Sequence, residues 1–335
     1  MIPYSFLDLA HVCEGSTISE TFEKSVKTAQ LADRLGFTRY WFAEHHNMKS
    51  VASSATSVLI GHIAGKTQNI RVGSGGIMLP NHSPLVIAEH FGTLASLYPN
   101  RIDLGLGRAP GTDQLTAFAL NPHFFENSRN FPQNVKLLQQ YLSEENKDSK
   151  VRAFPGEGTN VPVWILGSST DSAYLASSLG LPYAFASHFA PAQMHRAFEI
   201  YRQEFISTKR ETPTTLACVN VIIADTIAEA NRLATSFYRM FLGIIRDERN
   251  YMQPPIDSMD GLWNVNEEAH IRQMTSCSFI GTKETVKREI SRFIEKYAID
   301  EIMISVPIYD LEAKLHSIQL FSELMNADLS FKNEK

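Results

Sequence analysis

Cysteine is scarce in this sequence: three in 335 residues, Cys13, Cys218 and Cys277, far apart and never in a CxxC pair. That spacing excludes a disulfide framework and a thiolate zinc cluster. No apolar run approaches the roughly 20 residues of a membrane span. The N-terminal MIPYSFLDLA lacks the basic and apolar regions of a signal peptide. An excess of positive charge is missing too. Lys and Arg total 31 against 36 Asp and Glu, for a net charge of −5, and both signs are interspersed. The chain therefore carries no footprint for nucleic acid or anionic lipid. Metal-binding patterns of the HxH or HExxH kind are absent, and the expected setting is a reducing cytoplasm.

What the sequence does have is rhythm. Of its residues 44% are hydrophobic and 20% charged, the balance of a globular protein with a core large enough to need no staples. Short apolar runs alternate with longer stretches of helical period. IPYSFLDL, TRYWFAEHH, NIRVGSGGIML, RIDLGLGR, VPVWILG, LPYAFASHF, LACVNVIIAD, SCSFIG and EIMISVPI read as strands, with helices between them. VPVWILG shows no polar alternation, as expected of a strand buried on both faces. Alternation to the end of the chain implies parallel pairing through right-handed crossovers. About eight such units predict an α/β fold closed as a (β/α)8 TIM barrel. An open doubly wound sheet would show a nucleotide fingerprint on its first turn, and none is present. No linker divides the chain, so residues 1–335 are expected to form one domain. Residues 246–269, RDERNYMQPPIDSMDGLWNVNEEA, are too long and polar for an ordinary connection and read as a lid or insertion.

A barrel places its chemistry at the C-terminal ends of its strands, and four such ends carry a signal. The second ends in Glu44-His45-His46. Successive strand residues point to opposite faces, so His45 shares a side with Trp41 and Ala43, and Glu44 shares the other with His46. Adjacent histidines on a strand cannot both reach one metal. An inward imidazole beside a carboxylate suits proton transfer near neutral pH; the same triplet also suits a simple strand cap. The third strand carries GSGG, residues 73–76, which reads either as a kink or as a place where a flat ligand approaches the backbone. The fourth ends with Arg108, a phosphate clamp or a solvated arginine. After the fifth, Ser168, Ser169, Thr170 and Ser172 open a helix. Free backbone N–H groups, hydroxyls and the helix dipole there form an anion site, although one serine would suffice for a plain N-cap.

These residues resemble a known family. WFAEHHN, GSGGIMLPNHSPLVIAEHFGTLASLYPNRIDLGLGRAPG, GSSTDSAYLASSLGLP and the late SFIGTKETVKREI are similar, in order and across nearly the whole chain, to the luciferase-like flavin-dependent monooxygenases. The nearest likeness is to single-chain relatives of the bacterial luciferase α subunit. The resemblance implies a (β/α)8 barrel that binds reduced FMN (FMNH2), with O2 forming a C4a-peroxyflavin that attacks a small organic substrate. It implies acid–base work for His45, beside Glu44, and a non-proline cis peptide at Gly75-Gly76 against the isoalloxazine ring. Arg108 matches the family's phosphate-binding arginine. Ser169 and Ser172 match its hydroxyl contacts, with Ser168 placed to offer a backbone N–H. A separate flavin reductase and a homodimer are expected by the same analogy. One departure stands out: a reactive cysteine of luciferase itself is Gly107 here, so light emission is not implied and more room beside the ring is expected. Two alternatives stay open: use of the deazaflavin F420 for hydride transfer, and a flavin-binding barrel without catalysis. A metal-dependent hydrolase is disfavoured by the spacing of the histidines.

Overall fold

Parallel pairing passes from strand to strand around the computed structural model, which describes residues 2–207, 212–248 and 250–327. The strands are β1 (Tyr4–Asp8), β2 (Arg39–Phe42), β3 (Arg71–Met78), β4 (Ile102–Gly107), β5 (Val163–Gly167), β6 (Tyr183–Phe185), β7 (Thr215–Ile223), β8 (Ser278–Gly281) and β9 (Glu301–Ser305). β1 to β7 pair in sequence order, β7 pairs with β9, and β9 returns to β1. Eight strands thus close a barrel, with helices packed around it. The ninth, β8, stands outside the ring. It pairs with residues 220–223 at the end of β7. The reason is length: β7 has nine buried residues and outruns the three of β6, leaving an edge that β8 covers.

Strand alternation sorts the core into two layers. Inside the ring lie Leu7, Trp41, Ala43, Trp164, Ala184, Leu216, Cys218 and Met303, a small cluster filled mainly by two indoles meeting edge to face at 5.4 Å. Outward-facing residues such as Phe6, Tyr40, Phe42 and Ile304 belong to the far larger cluster between strands and helices. Helix Ile18–Arg34 shows how the outer layer is set in place. Thr17 and Glu20 form a reciprocal capping box at its start, and Val26, Ala29 and Ala32 face the barrel.

The N-terminal end of the ring is shut by charge. Arg39 binds Glu301 through Nε at 2.7 Å and Asp103 through Nη1 at 2.7 Å, and Arg71 joins Asp103 at 2.6 Å. Ser5 donates to Glu301 and the Trp41 indole to Asp103. The Arg39 guanidinium also lies over the Trp164 ring, 4.8 Å from its centroid. Burial alone would lower the Arg39 pKa, yet Asp103 and Glu301 reverse that and raise it.

Two connections carry structure of their own. The loop after β4 contains two short helices, Gln114–Leu120 and Phe124–Arg129, the first capped by Asp113 through Thr116 N–H. The 246–269 segment is shorter than it looked, because 265–269 already belong to helix Val265–Met274. It is also well anchored. Arg246 forks onto Glu267, Arg239 reaches the Pro254 carbonyl, Thr235 binds the backbone of Ile256, and Met252 pairs with the strand-like stretch at Cys13. Arg249, within this segment, lies outside the described residues. Among the described residues no helix is long and apolar enough to cross a membrane.

Candidate functional site

At the C-terminal end of the barrel the strands enclose a cavity of about 830 Å³. All eight ring strands, or the residues just beyond them, contribute to its wall: Leu7 and His11, Ala43 and His45, Gly75, Gly107 and Arg108, Leu166, Ala186 and His188, Asn220, and Ser305. Strand polarity explains this convergence, since parallel strands in a ring all release their loops at one end. Of the eight residues that the family resemblance implies for the site, six line the cavity: His45, Gly75, Arg108, Ser168, Ser169 and Ser172. Glu44 and Gly76 stand just behind its wall.

The floor is bare backbone. Gly75 and Gly76 are joined by a cis peptide bond. A Cβ on Gly75 would lie 2.8 Å from Leu7 Cδ1, and one on Gly76 would lie 2.7 Å from the Gly105 carbonyl. The Leu7 and Trp41 side chains at Gly75 and the β4 backbone at Gly76 leave no room for a Cβ, and the exposed backbone is suited to a flat ligand. At Gly107 the expected extra room is not there. A Cβ would sit 2.8 Å from the Met78 sulfur, so methionine fills the space that a cysteine side chain would need.

β2 ends at Phe42, and the EHH triplet lies in the irregular chain just beyond it. His45 Nδ1 donates to the Gly111 carbonyl at 3.1 Å, which fixes the neutral tautomer with Nε2 as the basic nitrogen. Gly111 has φ +66° and a Cβ there would meet Glu44 O at 2.6 Å, so only glycine brings this carbonyl into place. The same carbonyl accepts from His46 N–H.

Glu44 has a different place from the one its pairing with His45 suggested. Alternation turns it away from the cavity and buries it, 1% exposed, where its carboxylate accepts from His46 at 2.9 Å, His82 at 2.8 Å and Met78 N–H at 3.1 Å. Burial pushes its pKa up, but the bonds from His46 and His82 outweigh that and hold it at about 2. Asn81 donates both to Glu44 and to the Pro110 carbonyl. The carboxylate therefore ties together the loops after β2, β3 and β4. It positions; it does not reach the reacting space.

On the β4–β5 side the rim is open and polar. Arg108 meets Asp171 at 3.3 Å, with both side chains more than half exposed. Ser169 is the N-cap of helix Thr170–Leu179 but makes no side-chain cap bond. The Ser172 hydroxyl donates to the Ser169 carbonyl at 2.6 Å and meets Tyr183 Oη at 2.8 Å, so it braces the loop. Thr170 N–H donates to Gln193.

Sequence reasoning passed over two more imidazoles in the cavity wall, His11 beyond β1 and His188 beyond β6. The rule that singled out His45, a histidine at a strand end, would have found His188 within LPYAFASHF. Among the described residues no three His, Cys, Asp or Glu side chains are grouped to hold a metal ion.

Comparisons with known proteins agree with this architecture. The luciferase-like monooxygenase family profile matches residues 3–300. A luciferase-like monooxygenase of Escherichia coli K12 is 48% identical over 320 residues, covering 95% of this chain and 96% of its own. The N-acetyl-S-alkylcysteine monooxygenase of Bacillus subtilis is 33% identical, covering 98% and 99%. Among solved structures, apo-MsnO8 superposes with a TM-score of 0.86 at 30% identity, covering 97% of this chain and 99% of its own. At 17% and 13% identity the likeness is of fold alone: 3,6-diketocamphane monooxygenase of Pseudomonas putida in complex with FMN has a TM-score of 0.74 and covers 96% and 97%, and an F420-dependent secondary alcohol dehydrogenase has 0.69 and covers 96% and 98%. With an eight-stranded barrel, a glycine floor and a family match over most of its length, the chain belongs to the luciferase-like monooxygenases.

Proposed function

We propose that this protein is an FMN-dependent monooxygenase that takes reduced FMN from a separate reductase and, with O2, oxidises a small organic substrate. The observation that carries the reading is the division of labour in one cavity. One cavity brings together the bare backbone of Gly75, a polar rim at Arg108 and the start of helix Thr170–Leu179, and the imidazole of His45. A planar ring fits the floor. A phosphate fits the rim, where Arg108 can exchange its exposed partner Asp171 for a better one, and Ser168 and Ser169 add N–H and hydroxyl donors at a helix N-terminus.

Reduced FMN with O2 supplies oxygen transfer when bound. The protein's part is to orient, to shield and to move a proton. His45, its tautomer set by Gly111, accepts or donates that proton at Nε2. Glu44 and Ser172 act by holding their loops in register. Apolar side chains such as Leu166, Phe237, Met240 and Phe241 line the rest of the cavity and keep water from the reacting atoms. The anchored 246–264 segment, through Arg246, Tyr251 and Leu262, forms part of its wall, within a single barrel domain. The Bacillus subtilis relative, named for an S-alkylcysteine, makes thioethers the first substrates to screen. Three buried free cysteines suit a reducing cytoplasm, and a homodimer remains the expectation for the assembly.

Equilibrium titration under anaerobic conditions with reduced FMN, oxidised FMN and F420 tests the proposal. Selective binding of reduced FMN supports it. F420 selectivity would replace oxygen transfer by hydride transfer, and retention of FMN with no oxidation of any substrate would leave a carrier in place of an enzyme.

A further inference from the structure

Two of the three imidazoles that line the cavity have no part in the chemistry assigned to His45. His11 and His188 enter from β1 and β6, on strands separate from the Arg108 and Ser169 rim at β4 and β5. Neither ring makes a hydrogen bond among the described residues: His11 Nε2 and His188 Nδ1 are fully buried, which leaves the other nitrogen of each ring as the one accessible from the cavity. An accessible ring nitrogen without a protein partner has hydrogen-bonding capacity left for a ligand's polar group. Their neighbours do not take it up. The His188 carbonyl, not its ring, accepts from Asn220, and behind His11 the carboxylate of Asp8 is taken by Tyr40 Oη and Ala10 N–H.

We propose that His11 and His188, on the β1 and β6 sides of the cavity, form the recognition pair for an uncharged amide group of the organic substrate. Both rings are neutral. Burial, reinforced by Lys314, lowers the His11 pKa to about 4, and burial, reinforced by His45, lowers that of His188 to about 3. A neutral pair offers a carboxylate no counter-charge. It does offer one donor and one acceptor per ring, and an amide matches either tautomer because it carries both an N–H and a C=O. The apolar wall at Phe237, Met240 and Phe241 accommodates the hydrocarbon part of the same molecule. The inference rests on the monooxygenase reading only in calling this ligand a substrate.

Three probes of equal heavy-atom count separate the possibilities: N-benzylacetamide, benzyl acetate and 3-phenylpropanoate. Each is titrated calorimetrically into the full-length protein, with and without FMN, in wild type, His11→Phe, His188→Phe and the hydrogen-bonding variant His188→Gln. The amide is expected to bind wild type about tenfold tighter than the ester or the carboxylate, as one or two buried hydrogen bonds allow. That preference should vanish in both Phe variants, persist in part in His188→Gln, and leave FMN affinity unchanged throughout. Equal or tighter binding of the carboxylate, no binding of the amide, or an amide preference that survives both Phe variants would overturn the pair. Failure of FMN to bind while the amide preference holds would instead sink the flavin reading and leave the pair standing.

Discussion

At the N-terminal end of the barrel the buried carboxylate of Asp103 receives one hydrogen bond from Arg39, two from Arg71 and one from the Trp41 indole. At the C-terminal end the rings of His11 and His188 make no hydrogen bond among the described residues, and Gly75-Gly76 adds no side chain of its own. Both ends enclose polar groups in an apolar wall; only one of them saturates those groups. A saturated network is committed to the fold, because every lone pair and proton is already in use. An unsaturated one has capacity left for a ligand. The contrast therefore separates a plug from a site without reference to any relative, and it agrees with the rule that barrels keep stability at one end and function at the other.

The comparison can be broken most decisively at the plug. Asp103→Ala leaves Arg71 without its carboxylate and Arg39 with Glu301 alone, and is expected to lower stability by about 3–5 kcal/mol, as breaking buried ion pairs does. Urea denaturation would read this, and a change below about 1 kcal/mol would mean that the network is not committed to the fold. The opposite pattern is expected at the mouth. His45→Ala should reduce turnover about 10²-fold or more, with FMN affinity and melting temperature near those of wild type. A loss of FMN binding in that variant would shift His45 from proton transfer to cofactor seating.

Glu44→Gln tests the boundary between the two regimes, since this residue is saturated like the plug but lies at the mouth. Losing a charge that accepts from His46, His82 and Met78 N–H is expected to cost about 1.5–3 kcal/mol. The pH dependence has a definite sign. Glu44, held at about 2 against an ordinary 4.5, contributes stability that is present above pH 4.5 and lost as pH falls toward 2. His11 and His188, held at about 4 and 3 against 6.5, are neutral when folded, while the unfolded chain takes up their protons below 6.5. Their contribution is complete above pH 6.5 and declines as pH falls through that value. The melting temperature should accordingly fall between pH 6.5 and 4, and His188→Phe should flatten the decline. A melting temperature that rises in that window would contradict the neutral pair. Smallest of all is the stability effect of Arg108→Gln. Its pair with Asp171 is more than half exposed on both sides, so its loss should change stability by no more than about 0.5 kcal/mol.

Much of the mouth was legible because its residues sit at strand ends in short, characteristic runs. His45, Gly75-Gly76, Arg108 and the serines after β5 could each be read from strand position together with an uncommon residue type. What could not be read were the partners. Glu44 is completed by His82, 38 residues away, and His45 is oriented by a carbonyl in a loop 66 residues on. The plug was equally hidden. Arg39, Asp103 and Glu301 appear in sequence as single charges at the starts of three apolar runs, and only closure of the ring brings them together. The strand count was legible but not its arrangement. Nothing local to SCSFIG tells that β8 extends β7 and stays outside the barrel, because that follows from the shortness of β6.

The same Arg108→Gln variant that leaves stability almost unchanged gives the most direct measurement. Wild type and variant are titrated anaerobically with reduced FMN and with reduced riboflavin, which differ only in the phosphate. Expected is at least about tenfold tighter binding of FMN by wild type, a preference that Arg108→Gln cuts severalfold by lowering FMN affinity toward that of riboflavin. Equal affinity of wild type for the two flavins, or a preference that Arg108→Gln leaves intact, would contradict a phosphate rim at the β4–β5 mouth.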